Sequence, residues 1–190
     1  MKKGIGIVSI IFCILLWSFA PIDASASDKS ERLRQTMADL SLLNSQLLER
    51  KTEAESIRDD LFVKLMEVKT EARKEIRSAG IRNKTEALQH PRILYDLILM
   101  AEIQAYMDRY KKKIGYYRVA CDRIGYLYQR ADDDLKIVKT LSGMKVEALA
   151  SQASQLNETY LKEAQTIVIK PELIMIDPPE RIWESLVTRQ

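Results

Sequence analysis

Apolar residues recur along this chain at nearly helical spacing, with charged and polar residues between them. The first series reads Leu33, Met37, Leu40, Leu43, Leu47, Arg50, Ala54, Ile57, Leu61, Leu65, Val68, Ala72, Ile76 and Ala79, apolar at every slot but Arg50. Its mean step is about 3.54 residues, between the 3.5 of a heptad and the 3.6 of a straight helix, so the stripe winds only slowly around a helix. Neither Gly nor Pro interrupts it before Gly80. The pattern predicts one long helix over about 28–80, stopped at Gly80. So narrow a stripe stabilises a helix only against a partner.

Within the 80–90 connection, Asn83-Lys-Thr-Glu86 has the spacing of a capping box and predicts a short helical segment. His90-Pro91 then restarts the chain, since proline suits the first helical position. A second series follows: Ile93, Leu97, Met100, Ile103, Met107, Tyr110, Ile114, Tyr117, Cys121, Ile124, Tyr128, Ala131, Leu135, Val138 and Leu141. Its mean step of about 3.43 is heptad spacing sustained over some seven repeats. Two matched stripes joined by about a dozen residues predict an all-α fold, a long antiparallel coiled-coil hairpin occupying 28–168.

A weaker stripe of Leu149, Ala153, Leu156, Tyr160, Ala164 and Ile167 follows a phase break at Ser142-Gly143. No cluster of turn-forming residues surrounds Gly143, so the second helix is expected to run straight from about 91 to 168. A bend that folds 145–167 back as a third helix is the compact alternative. Residues 169–190 differ in kind. Pro171 demotes Ile167–Ile176 to an extended segment, and Asp177-Pro-Pro179 precedes a short amphipathic helix carrying Ile182, Trp183, Leu186 and Val187. The tail is expected to fold back onto the coiled coil, with docking to a partner as the other use of Trp183. At the start of the second helix, Leu94, Ile98, Leu99 and Ala105 widen the apolar face beyond a two-helix seam. Either the 80–90 connection covers that face or another subunit does, so self-association is expected.

The N-terminus changes the setting. Met1-Lys2-Lys3, the uncharged run Gly4–Ile22 and the small residues Ala24-Ser25-Ala26 form the basic, apolar, A-x-A sequence of a secretory signal. The unbroken stretch before Pro21 is shorter than the ~20 residues a membrane-spanning helix needs. Cleavage between Ala26 and Ser27 is expected, and retention of 1–26 as a membrane anchor is the alternative. Export would place the rest of the chain in a periplasmic or extracellular setting.

Composition narrows the classes. The 190 residues include 6 Gly, 5 Pro, 2 Cys and 1 His, which excludes a turn-rich all-β fold, a disulfide scaffold and a zinc cluster. Without residues 1–26 the chain carries 28 Lys and Arg against 26 Asp and Glu. A net charge of +2 gives no case by itself for a polyanion partner.

Candidate chemistry is sparse. His90 sits beside Pro91 with no nucleophile motif and reads as solvated. Cys121 occupies a core slot and reads as a buried inert thiol. Asp132-Asp133-Asp134 points in successive helical directions and lacks a glycine-containing ligand loop, so it reads as a solvated acidic turn. No catalytic, cofactor-binding or metal-ligating residue is assigned, and no cofactor is expected. The most distinctive stretch lies in the second helix. Six Tyr fall between Tyr106 and Tyr128, where Arg109, Lys111, Lys112, Lys113, Arg118, Arg123 and Arg130 outnumber Asp108 and Asp122. Arg109, Lys111, Lys112, Lys113, Tyr116, Arg118, Arg123, Tyr126 and Trp183 form the candidate interaction surface. It suits anionic lipid or an acidic wall polymer, rather than nucleic acid, which an exported chain seldom meets. Packing is the competing use of the same residues, with Gly115 and Gly125 letting a neighbouring helix approach closely.

The chain thus reads as an exported, non-enzymatic coiled-coil protein, a structural spacer, adaptor or assembly component of the cell envelope. Its expected partner is a second copy or another helical envelope protein. A holdase-like periplasmic chaperone and a membrane-anchored coiled-coil linker are the alternatives.

Overall fold

A computed structural model describes residues 20–166 and 174–187. Every regular element among them is a helix: α1 (Ala20–Ser78), α2 (Lys84–Gln89), α3 (Pro91–Lys136), α4 (Gly143–Thr166) and α5 (Pro179–Val187). The apolar run expected to direct export lies mostly outside the described residues. The expected cleavage residues Ala24, Ala26 and Ser27 fall in the first turns of α1. No helix among the described residues is long and apolar enough to cross a membrane.

The helix ends follow from local chemistry. Gly80 has φ +67°, and Ile81 N–H donates to the Ile76 carbonyl at 3.0 Å while Gly80 N–H donates to that of Arg77 at 3.3 Å. This is the Schellman arrangement, and only glycine enters it without steric cost. Asn83 caps α2 as the sequence suggests: its Oδ1 accepts from Glu86 N–H at 3.0 Å, and Glu86 Oε2 accepts from Arg82 N–H at 2.8 Å. The His90 carbonyl accepts from Leu94 N–H and starts α3.

The chain divides into two compact units, with α1 and α3 contributing to each. The first combines the described residues up to Gln46 with Ala120–Glu163. Its interior takes Leu33, Leu40 and Leu43 from α1, Ala120, Ile124, Leu127 and Ala131 from α3, and Val146, Leu149, Ala150 and Ala153 from α4. Thr36 is buried among them and donates its hydroxyl to the Arg32 carbonyl at 2.8 Å.

Here the straight second helix is corrected. α3 ends at Lys136, and α4 starts at Gly143 after a turn in which the Ile137 carbonyl accepts from Thr140 N–H, Leu141 N–H and the Thr140 hydroxyl. Three aspartates in the last turns of α3 oppose the negative end of the helix dipole and weaken any continuation. Leu141, 5% exposed, anchors the turn in the core. α4 then packs beside α1: Gly143 lies against the Lys29 side chain and Glu147 pairs with Arg32 at 3.4 Å. Farther along, Tyr160 lies within electrostatic reach of Arg123, so α4 runs back along α3. The compact alternative, with 145–167 folded back as a third helix, describes this unit.

The second unit contains Leu47–Val119 and the described residues from Ala164 onward. Its core gathers Ala72 of α1, Ala87 of α2, Ile93, Leu97, Met100 and Ala101 of α3, and Ile182, Trp183 and Leu186 of α5. Leu65, Val68, Ile76, Ile81 and Leu88 pack around it. The connection and the terminal helix together cover the main stripe at the start of α3, Ile93, Leu97, Met100 and Ala101, whereas of the residues that widen the face Leu94, Leu99 and Ala105 stay half-buried and Ile98 is exposed. Arg73 Nη2 donates to the Leu186 carbonyl at 3.2 Å, and Lys84 pairs with Glu184 at 3.3 Å. Along the rest of the unit, Arg92 meets Glu71 at 3.5 Å and Glu75 at 3.7 Å, whereas Tyr117 meets Arg50. The contacts of α1 and α3 thus run in opposite chain order.

Candidate functional site

Tyr117 is the fixed point of the basic, tyrosine-rich segment. It is 1% exposed, and burial pushes its phenol above the usual value, opposed by the charge and hydrogen bond of the Arg50 guanidinium. The one polar slot in the first stripe is therefore occupied for a reason: Arg50 satisfies a buried phenol. Tyr116 stacks edge-on to Tyr117 with centroids 6.0 Å apart, and Lys113 Nζ stands 6.0 Å from the Tyr117 ring centroid.

The other candidate residues do not converge. In the second unit, Lys111, Lys112 and Arg118 are exposed, and Arg109 and Tyr116 half-buried. Arg109 and Lys112 line a pocket of about 240 Å³ with Ala105, Asp108, Ile174 and Met175. The tail thus passes beside this part of α3. Arg123 and Tyr126 belong to the first unit, both exposed; burial raises the Tyr160 phenol and the nearby Arg123 charge opposes that rise. Trp183 leaves the candidate surface altogether. It is 8% exposed, inside the core of the second unit.

Further corrections follow. Tyr128 is 40% exposed, and Leu127 takes its core place at 3%. Ala79 is exposed and His90 is half-buried, with Nδ1 buried and unbonded. Asp132 and Asp133 both bind Lys136 at 2.9 Å, and its hydrogen bond and charge hold the Asp133 carboxyl below the usual range. Cys121 is half-buried in α3. Among the described residues no group of three His, Cys, Asp or Glu side chains is placed to hold a metal ion.

Gly115 and Gly125 do not admit a neighbouring helix of this chain: a Cβ at either would meet nothing within 4 Å. Both carry the backbone-entropy cost of glycine in a helix with no packing in return. Gly115→Ala and Gly125→Ala should each stabilise the chain by about 0.5–1 kcal/mol, read as a rise in the urea midpoint at unchanged m. Loss of stability in either variant would mean that something does pack there.

Sequence reasoning passed over Asp96. It is half-buried on α3, with Oδ2 out of water and unbonded. Burial raises its carboxyl above the ordinary 3.8, against the Arg92 charge and with the help of Glu71 and Glu75. Because the folded value lies above the unfolded one, ionised Asp96 destabilises the fold at neutral pH, and the penalty fades as pH falls through the folded value toward 3.8. Asp96→Asn should stabilise by about 0.5 kcal/mol at pH 7, screening at a half-buried position keeping the gain small. The difference from the parent should close near pH 4, measured by paired urea unfolding at both pH values. A gain that grows on acidification would contradict the assignment.

Comparison with family models, with curated proteins and with solved structures gives no match.

Proposed function

We propose that the chain is an exported, non-enzymatic helical protein of the cell envelope, in which α1 and α3 form an antiparallel coiled-coil hairpin that holds or spaces partner proteins. The observation that carries this reading is the opposite chain order of the α1 and α3 contacts, with Arg92 at Glu71 and Glu75 and Tyr117 at Arg50. Such pairing uses the apolar stripes for the protein's own stability and leaves charged outer faces for recognition. Export is supported by the Lys2-Lys3, Gly4–Ile22 and Ala24-Ser25-Ala26 sequence. The partner class is a second copy or another helical envelope protein.

Crosslinking in the native host, followed by purification and identification of what is attached, tests the role. Recovery of an envelope protein or of a second copy is the expected result, and a co-purifying enzyme activity that tracks the chain would overturn it. Intact mass from the same preparation decides the export step: loss of residues 1–26 supports cleavage, and full mass makes the chain a membrane-anchored linker. The exposed Lys111 and Lys112 with Lys113 are the residues through which anionic lipid or wall polymer would bind. Reversing all three charges should abolish co-sedimentation with either, and unchanged co-sedimentation would remove that partner class. Suppression of aggregation of an unfolded membrane protein would favour a chaperone instead.

A further inference from the structure

Among the described residues of the second unit, one face of α1 is largely exposed, with Arg73 held at its basic end by the Leu186 carbonyl, and its composition is ordered. Glu55, Asp59, Phe62, Met66, Arg73 and Arg77 follow at steps of 4, 3, 4, 7 and 4 residues, so they lie along one line of the helix. That line is well removed from the buried Leu47, Ala54 and Ala72. Phe62 is 52% exposed and Met66 44%, and Val63 beside them is 57% exposed. The face thus reads acidic, apolar, basic along the chain.

That order is self-complementary under reversal. When a second copy of the helix lies antiparallel, with Met66 opposite Met66, Asp59 comes opposite Arg73 and Glu55 opposite Arg77, each pair twice. Phe62 comes opposite Thr70 and the apolar centres meet. A parallel arrangement sets Glu55 on Glu55 and Arg77 on Arg77, which like-charge repulsion disfavours. The intramolecular bonds of these groups are Glu55 with Lys51 at 3.2 Å, partly buried, Asp59 with Arg58 at 2.6 Å, exposed and a weak competitor, and Arg73 with the Leu186 carbonyl at 3.2 Å, so the Glu55–Arg77 pair is the one that does not draw on α5. At the basic end, Thr70, Arg73, Lys74, Arg77 and Ser78 line an open groove of about 530 Å³ whose charged side chains are all cationic. An acidic turn of a second copy fits there by charge.

We propose that this face of α1 is a self-association surface on which a second copy docks antiparallel about a two-fold axis at Met66. An isologous contact of this kind closes on itself and gives a dimer, not a filament. The proposal rests on the self-association part of the reading above and is independent of export.

The test uses the full chain with Cys13 and Cys121 changed to Ala. Met66→Cys should form a disulfide-linked dimer under mild oxidation. Glu55→Cys should not, because at ~1.5 Å per residue the two copies of position 55 stand roughly 33 Å apart. A mixture of Glu55→Cys and Arg77→Cys chains should cross-link. Without added cysteines, Arg77→Glu should weaken the dimer about tenfold in sedimentation equilibrium, and the swap Glu55→Arg with Arg77→Glu should restore it. Helix content by circular dichroism keeps a folding defect apart from an interface defect. A chain that stays monomeric at roughly 100 μM, a concentration well above that of a specific contact, overturns both this proposal and the self-association reading. A dimer indifferent to Arg77→Glu, with no cross-link at 66, overturns this face alone. A monomer that sediments with anionic phosphatidylglycerol vesicles in an Arg77-dependent way makes the face a membrane surface and overturns the dimer.

Discussion

Trp183→Ala is expected to cost the second unit about 3 kcal/mol, the lower end of the range for truncating a buried tryptophan. The indole is 8% exposed and packs in one cluster with Ala72, Ala87, Ile93, Leu97, Met100 and Ala101. α5 has nine residues, too few to persist as a helix by itself, so its order depends on that packing. Once the indole is gone, the loss is bounded by the whole docking energy of α5 rather than by one cavity. Amide exchange should accelerate through α5 and α2, and at Leu97–Ala101, before the rest of α3 responds. Glu184→Ala supplies the contrast: its pair with Lys84 is exposed on both sides and should contribute under about 0.5 kcal/mol. A Trp183→Ala chain within 1 kcal/mol of the parent by urea unfolding, on the order of a surface change, would mean that α5 does not close this core.

Leu149→Ala should destabilise the first unit by about 2–4 kcal/mol. Leu149 is 2% exposed, beside Val146 at 2% and Ala153 at 6%, on the side of α4 that faces Leu33, Leu40 and Leu43. The expectation separates the two readings of residues 145–167. In a straight extension the side chain would leave water only on binding a partner, and its truncation would be nearly silent in a monomer. In the packed arrangement, amide protection at 33–43 should fall together with that of α4. Met144, 83% exposed five residues earlier, should tolerate alanine within about 0.5 kcal/mol. Silence at Leu149 matched by silence at Met144 would restore the extended form.

How much of this was legible in the sequence depends on the distance over which each signal acts. Gly80 and the Asn83–Glu86 cap act within one turn, and both stand where their chemistry puts them. The apolar series also held almost throughout, since burial at 3.5-residue spacing is a property of the helix itself. It failed at Tyr128, because a heptad series assumes one partner. α3 in the first unit packs on two helices, and the wider face it needs draws in Ala120 and Leu127 instead. The α3–α4 turn was missed for a related reason. It contains no Pro and one Gly at its end, and what sets it is the anchoring of Leu141 and the three aspartates at the negative end of the α3 dipole, of which Asp132 and Asp133 pair with Lys136. The candidate surface was legible only as composition. Arg50 and Tyr117 lie 67 positions apart, and no local pattern reveals that one satisfies the other.

The direction of α1 against α3 in the second unit underlies both the fold and the proposed role, and pairwise spin-label distances test it most directly. Labels belong at the exposed positions Glu53, Tyr95 and Arg118, with labelled chains diluted in unlabelled protein so that only intramolecular pairs are read. Antiparallel pairing sets position 53 beside 118 and puts 95 farther off by roughly 35 Å, at ~1.5 Å per residue. The 53–118 distance should therefore be the shorter by far. A 53–95 distance equal to or below it, or two long distances, would contradict the hairpin.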